Sequence, residues 1–237
     1  MANPAAARPD GILIADQYVV ETGRKLVSVG GLASFAVTDR VSGRRDLMAI
    51  QLDRRLPPRP RAFHVLATPI EGLLTPIVCG HVRDACYALC LAPPGPSVKA
   101  RERPWSEAEL LTCVLRPAAR VLEVMAARGI THRGIRLENV FQSGPGQPVV
   151  LGTAWTAPPA MAQPALFEPP YSAMCLPSGR GEGAIADDVY ALGVLLLCLA
   201  RKLERGSYAA LAGDERLPAA ISDLVRGGAV ELGRSPG

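Results

Sequence analysis

Lysine is almost missing from this sequence: Lys25, Lys99 and Lys202 are the only three among 26 basic residues, and the remainder are arginine. Acidic residues number 22, so the net charge is only +4. They alternate with the arginines, as in RERPWSEAE at 101–109. Interleaving of this kind makes a solvated mixed surface and argues against a phosphate-binding stripe, so nucleic acid is not an expected partner. No two of the six cysteines (79, 86, 90, 113, 175, 198) stand in a Cys-x-x-Cys pair, and the three histidines (64, 81, 132) do not cluster with them. That argues against a zinc site, and nothing else in the cysteine pattern demands disulfides, so a reduced, cytoplasmic domain is expected. The longest strongly apolar run, VYALGVLLLCLA at 189–200, falls well short of the roughly 20 residues that span a bilayer and reads as a buried helix; no membrane insertion is expected.

What is present is a core-forming composition, 49% hydrophobic, broken by 23 glycines and 22 prolines. Such a chain of 237 residues predicts a packed fold with long irregular connections. Residues 1–15 are rich in Ala and Pro and read as a loose lead-in. Residues 16–95 form the first lobe. Its segments YVVETGRK, LASFAVTD, LMAIQLD, TPIVCGHV and ACYALCLA carry period-2 alternation or short apolar runs separated by turns, which predicts an antiparallel meander. Between them, RRLPPRPR at 54–61 cannot be a regular helix, because Pro57, Pro58 and Pro60 interrupt it, and a helical turn or two is expected in AFHVLATPIEGLL.

Residues 96–237 form the second lobe, where the period changes to 3.6. Ser106 with Glu109 is a capping box. Leu110, Val114, Ala118, Val121, Leu122 and Met125 then mark one face of a long helix, with a kink expected at Pro117 and a stop at Gly129. A short hairpin over 139–152, a Pro-rich loop over 153–184, a buried helix over 186–203 and a weaker helical segment near 217–227 follow. Strands first and helices afterwards predict an α+β fold of two lobes.

Two strings in the second lobe then stand out. GITHRGIRLENVF at 129–141 resembles the catalytic loop of eukaryotic-type (Ser/Thr) protein kinases, with His132, Arg133, Arg136 and Asn139 in place. DDVYALGVLL resembles that family's central helix, whose aspartate, here Asp188, orients the loop backbone. SVGGLASFAV at 28–37 is similar to a worn glycine-rich loop, and LMAIQL at 47–52, with Ala49, to the family's third strand. The resemblance extends over roughly residues 18–230. It implies a bilobal protein-kinase-like fold, with a small antiparallel β N-lobe and a helical C-lobe short of its last helices, and the Arg-rich style suggests a bacterial protein.

The departures concern the residues that touch phosphate and metal. Phosphoryl transfer in this family needs a lysine on the phosphates, a base and a carboxylate for the metal. The resemblance puts Gln51, Gly134 and Gly152 at those three positions. No aspartate lies between Asp84 and Asp187 to take over. In the glycine loop only Gly30 keeps its place, and Phe35 stands where a smaller residue usually roofs the adenine. The resemblance therefore implies a pseudokinase: no catalytic residues, no metal, no cofactor, and a vestigial cleft at Gly30, Phe35, Ala49 and Asn139. His132, Arg133 and Asp188 are kept for the fold. The expected role is a protein-binding scaffold or allosteric regulatory module. Its partner would be another protein, a further domain of a longer parent, or a second copy of the chain. The alternatives are a metal-independent nucleotide sensor and an atypical active transferase.

Overall fold

Short turns and alternating burial organise the first third of the chain. The computed structural model describes residues 11–26, 32–52, 59–82, 84–153 and 159–200. They fall into two compact units, the first within residues 1–57 and 76–92 and the second within 58–75 and 93–237.

The first unit is a six-stranded antiparallel sheet in the order β1-β2-β3-β4-β6-β5. Its strands are β1 (Ile12–Ile14), β2 (Tyr18–Lys25), β3 (Ser34–Asp39), β4 (Leu47–Leu52), β5 (Pro76–Val82) and β6 (Ala85–Leu91). Every strand predicted from alternation is present. Residues 12–14, expected to belong to a loose lead-in, instead form edge strand β1, with Ile12 opposite Val20 and Ile14 opposite Tyr18. Ile14 is the physical reason: it is 2% exposed and joins Val20, Phe35, Val37, Leu47, Ala49, Tyr87 and Leu89 in the core of the unit. The β3–β4 turn is anchored by Asp39, which accepts bonds from the Val41 amide, the Ser42 hydroxyl and the Gln17 side chain. The Ser42 bond leads in holding the Asp39 carboxyl at a pKa of about 2.

The second unit packs helices around one core. The segment 58–75 lies before the 95/96 division drawn from the sequence, yet it belongs here, because Leu66, Ile70 and Leu73 pack with Val114, Val121, Met125, Leu151 and Leu195. It carries α1 (Pro60–Leu66), which starts with Pro60 in its first turn, where a missing N–H does no harm. The long helix begins as α2 (Glu107–Glu109), capped by Ser106 and Glu109 in the predicted box. The expected irregularity takes the form of a π-helical stretch, Leu110–Leu115, leading into α3 (Arg116–Ala127). Pro117 supplies no amide for the Cys113 carbonyl one turn earlier, and a widened turn accommodates the defect. At the far end Gly129 adopts φ +67°, the Gly129 amide donates to the Ala126 carbonyl, and the Ile130 amide donates to the Met125 carbonyl. That is a complete Schellman stop.

Strands β7 (Val140–Gln142) and β8 (Val149–Leu151) form the predicted hairpin. The Pro-rich connection holds the short helix α4 (Pro170–Ala173), and α5 (Ile185–Ala200) is the predicted buried helix. No described helix is long and apolar enough to cross a membrane. The expectations for the closing helices, for the segment near 217–227 and for Gly30 fall outside the described residues.

Candidate functional site

Residues 130–139 form an almost wholly buried loop between α3 and β7. It is held from beneath by Asp188, in the first turn of α5, where the helix dipole favours a carboxylate. One Asp188 oxygen accepts the His132 amide and the other accepts the Arg133 amide, each at 2.7 Å. Arg133 sits at φ +58°, a conformation that an arginine holds only when its surroundings impose it. Burial raises the pKa of Asp188 to about 6 against the pull of these two amides.

Beside it lies a buried ion cluster. Arg133 donates through Nη2 to Glu168 Oε2 at 2.7 Å, and its Nη1 lies 3.0 Å from Asp187 Oδ2. Ser172 Oγ donates to the same Glu168 oxygen at 2.5 Å, and Asp187 also takes the Tyr171 hydroxyl. Gly183, at φ +63°, closes over this cluster; a Cβ there would overlap Asp187 Oδ2 and lie 2.8 Å from Arg133 Cζ. A second tie runs through Arg59, which is 3% exposed, donates to the Thr131 carbonyl at 2.8 Å and pairs with Glu182. His132 is 1% exposed, and neither ring nitrogen has a partner in good geometry. Burial first, then the charges of Arg59 and Arg136, lower its pKa to about 3, so the imidazole is neutral.

The resemblance places three functional positions around Asn139, Gly134 and Gly152, and the structure brings these together. Asn139 Nδ2 donates to the Gly134 carbonyl at 2.8 Å and to the Thr153 carbonyl at 3.0 Å, and its Oδ1 accepts the Thr153 amide at 3.2 Å. Both amide protons and the oxygen are thus committed to backbone. A Cβ at Gly152 would overlap Asn139 Oδ1 and lie 2.6 Å from its Cγ. Asn139 therefore fills the space that a side chain at 152 would need. At Gly134 a Cβ would meet Asn139 Nδ2 and the Thr153 carbonyl at 3.3 Å, tight but within reach of a small shift.

Positions 152 and 134 carry no side chain, and the Asn139 amide oxygen is taken by the Thr153 amide. Glu138, next in the chain, pairs instead with Lys99 Nζ at 2.6 Å. Among the described residues no three His, Cys, Asp or Glu side chains gather to hold a metal ion.

In the sheet unit, Gln51 is half-buried on β4 opposite Tyr87. Phe35 and Ala49 lie opposite each other in the β3–β4 register and are part of that unit's core. The Phe35 ring meets Tyr87 edge-on, with centroids 6.3 Å apart. Aromatic burial of this kind is core packing.

No family model matches the chain, and no curated protein matches it. Among solved structures, the crystal structure of the Mycobacterium tuberculosis PknI kinase domain, determined as a point mutant, superposes with a TM-score of 0.62. The alignment covers 87% of this chain and 88% of that one, at 19% identity. The chain has a protein-kinase-like fold. Within that fold, the sequence assigned structural roles to His132, Arg133 and Asp188 and placed Asn139 in the vestigial cleft, whereas the structure has Asn139 bonded to the loop backbone. Sequence reasoning missed Arg59, Glu168 and Asp187. Arg59 is hidden in a run that reads as irregular. Glu168 leaves a faint signal as the only carboxylate between Glu138 and Glu182, and Asp187 stands in the shadow of its neighbour Asp188.

Proposed function

We propose that this is a catalytically inactive kinase-like domain, a pseudokinase, that acts by binding other proteins. The observation that carries the reading is Asn139. Its amide is spent on the Gly134 and Thr153 backbone, and its side chain stands where a metal-binding carboxylate at 152 would stand. Gln51 in place of a lysine and Gly134 in place of a base support the same reading, because each loss alone costs orders of magnitude in rate. With no phosphate contact left to build on, the domain binds ATP weakly or not at all and takes no cofactor.

The binding role rests on the surface. Tyr171, Met174, Leu176 and Val189 are exposed, with Met174 85% accessible, and they lie on α4, on α5 and in the connection between them. Large apolar side chains left exposed over one short stretch of chain suit a protein partner. Of the aromatic residues in the Pro-rich loop, Tyr171 is exposed and Phe167 is buried, while Trp155 lies outside the described residues. A cytoplasmic, bacterial setting completes the proposal.

Two measurements test it on the full chain. Isothermal titration of ATP with Mg or Mn is expected to give no saturable heat up to millimolar nucleotide, and incubation with labelled ATP and a general protein substrate is expected to transfer no phosphate. Metal-dependent phosphate transfer that a cleft substitution such as Gln51→Ala abolishes overturns the proposal. Metal-independent micromolar binding would replace it with a nucleotide sensor.

A further inference from the structure

We propose that Cys79 and Cys86 are an oxidisable dithiol, and that a two-electron oxidant joins them in a disulfide linking β5 to β6. This inference is independent of the reading of the kinase-like site. The two sulfurs are 3.2 Å apart, and both thiols are free. Forming the bond, at about 2.05 Å, closes that gap by only about 1.1 Å.

The strand register explains the approach. Cys79 is opposite Ala88 and His81 is opposite Cys86, so Cys79 and Cys86 share one face of the hairpin on a diagonal. A register shift between Pro76 and Val78 precedes Cys79. Bulges of this kind increase the local twist, which draws one diagonal pair together and parts the other. Cys90 also lies on this face, but it pairs with Pro76 across the shift and is fully buried. The twist thus selects Cys86 over Cys90 as the partner of Cys79.

Access is asymmetric in the way a stepwise oxidation requires. Cys79 is half-buried on edge strand β5, whereas Cys86 is fully buried behind it. Hydrogen peroxide oxidises the Cys79 thiol to a sulfenic acid and releases one water. The Cys86 sulfur then attacks that sulfur, the S–O bond breaks, and a second water leaves with the Cys86 proton. Overall two thiols and one peroxide give one disulfide and two waters. Burial and the neighbouring thiol push the Cys79 pKa up to about 12, so the pair stays a dithiol at neutral pH until a sustained oxidant dose reaches it.

The test is a non-reducing peptide map of the purified wild-type chain before and after hydrogen peroxide, with free thiols alkylated under denaturing conditions. Trypsin cleaves at Arg83, between the two cysteines, so the disulfide appears as two peptides joined by one bond and lighter by two hydrogens. Fragmentation places the link on Cys86, with Cys90 alkylated, and dithiothreitol restores both thiols. In Cys86→Ser the linked species is expected to vanish, and a sulfenic-acid trap such as dimedone is expected to label Cys79. Alkylation of both thiols after peroxide, or a link from Cys79 to Cys90, to Cys175 or to a second chain, overturns the proposal. The wild-type map decides this whether or not the variant folds.

Discussion

Asn139 makes three hydrogen bonds at a side chain that is 1% exposed. Asn139→Ala strands the carbonyls of Gly134 and Thr153 and the Thr153 amide, and a loss of about 2–4 kcal/mol is expected from chemical denaturation. Gly152→Asp supplies a carboxylate at the position where the proposal finds one missing, yet its Cβ collides with Asn139. It is expected to lower stability by more than about 2 kcal/mol and to leave phosphate transfer undetectable in the same radiolabel assay. His132 gives a pH signature. Its pKa is about 3 in the fold against 6.5 outside it, so the unfolded chain takes the proton first, and the stability present above pH 6.5 is lost as pH falls toward 3. Asp188, raised from 3.8 to about 6, works in the opposite sense over pH 6 to 4 and masks the effect. Unfolding midpoints measured against pH in that window therefore read the His132 contribution as the difference between the wild type and a variant without the imidazole. His132→Phe is expected to differ from the wild type by a slope of about 1.4 kcal/mol per pH unit there, becoming relatively more stable as pH falls.

Elements whose causes are local were the ones legible in the chain. The capping box at Ser106, the Gly129 stop, the alternating strands and the apolar run of α5 each depend on residues within one or two turns. Gly129→Ala tests the stop. At φ +67°, with the Arg61 guanidinium 2.9 Å from the added Cβ, it is expected to cost about 1–2 kcal/mol, read as a shift in thermal midpoint. The features that escaped depend on distant partners. Strand β1 exists because Ile14 finds the sheet core, α1 joins the second unit because Leu66 finds α3, and the π-helical stretch is one of several ways a helix can absorb Pro117. The same division holds in the site. A motif string revealed His132, Arg133, Asn139 and Asp188. The partners that neutralise Arg133 come from 35 and 54 residues away in sequence (133 to 168, and 133 to 187) and leave no periodic trace.

Across the molecule, the polar interior of the helical unit is tied together by charge. Arg133, 4% exposed, joins the loop to Glu168 and to Asp187 at the start of α5. Arg133→Met leaves two buried carboxylates uncompensated, and a loss of about 3–5 kcal/mol is expected in thermal and denaturant unfolding. The triple variant Arg133→Met, Glu168→Gln, Asp187→Asn is expected to recover part of that loss, because no buried charge is left alone. The packing of Asn139 against Gly152 has a consequence for the two positions taken together. A side chain at 152 meets a filled space, and moving Asn139 aside forfeits the bonds that hold the loop. The two positions therefore form a single locus: what one can accept depends on what the other holds, and their substitutions do not add.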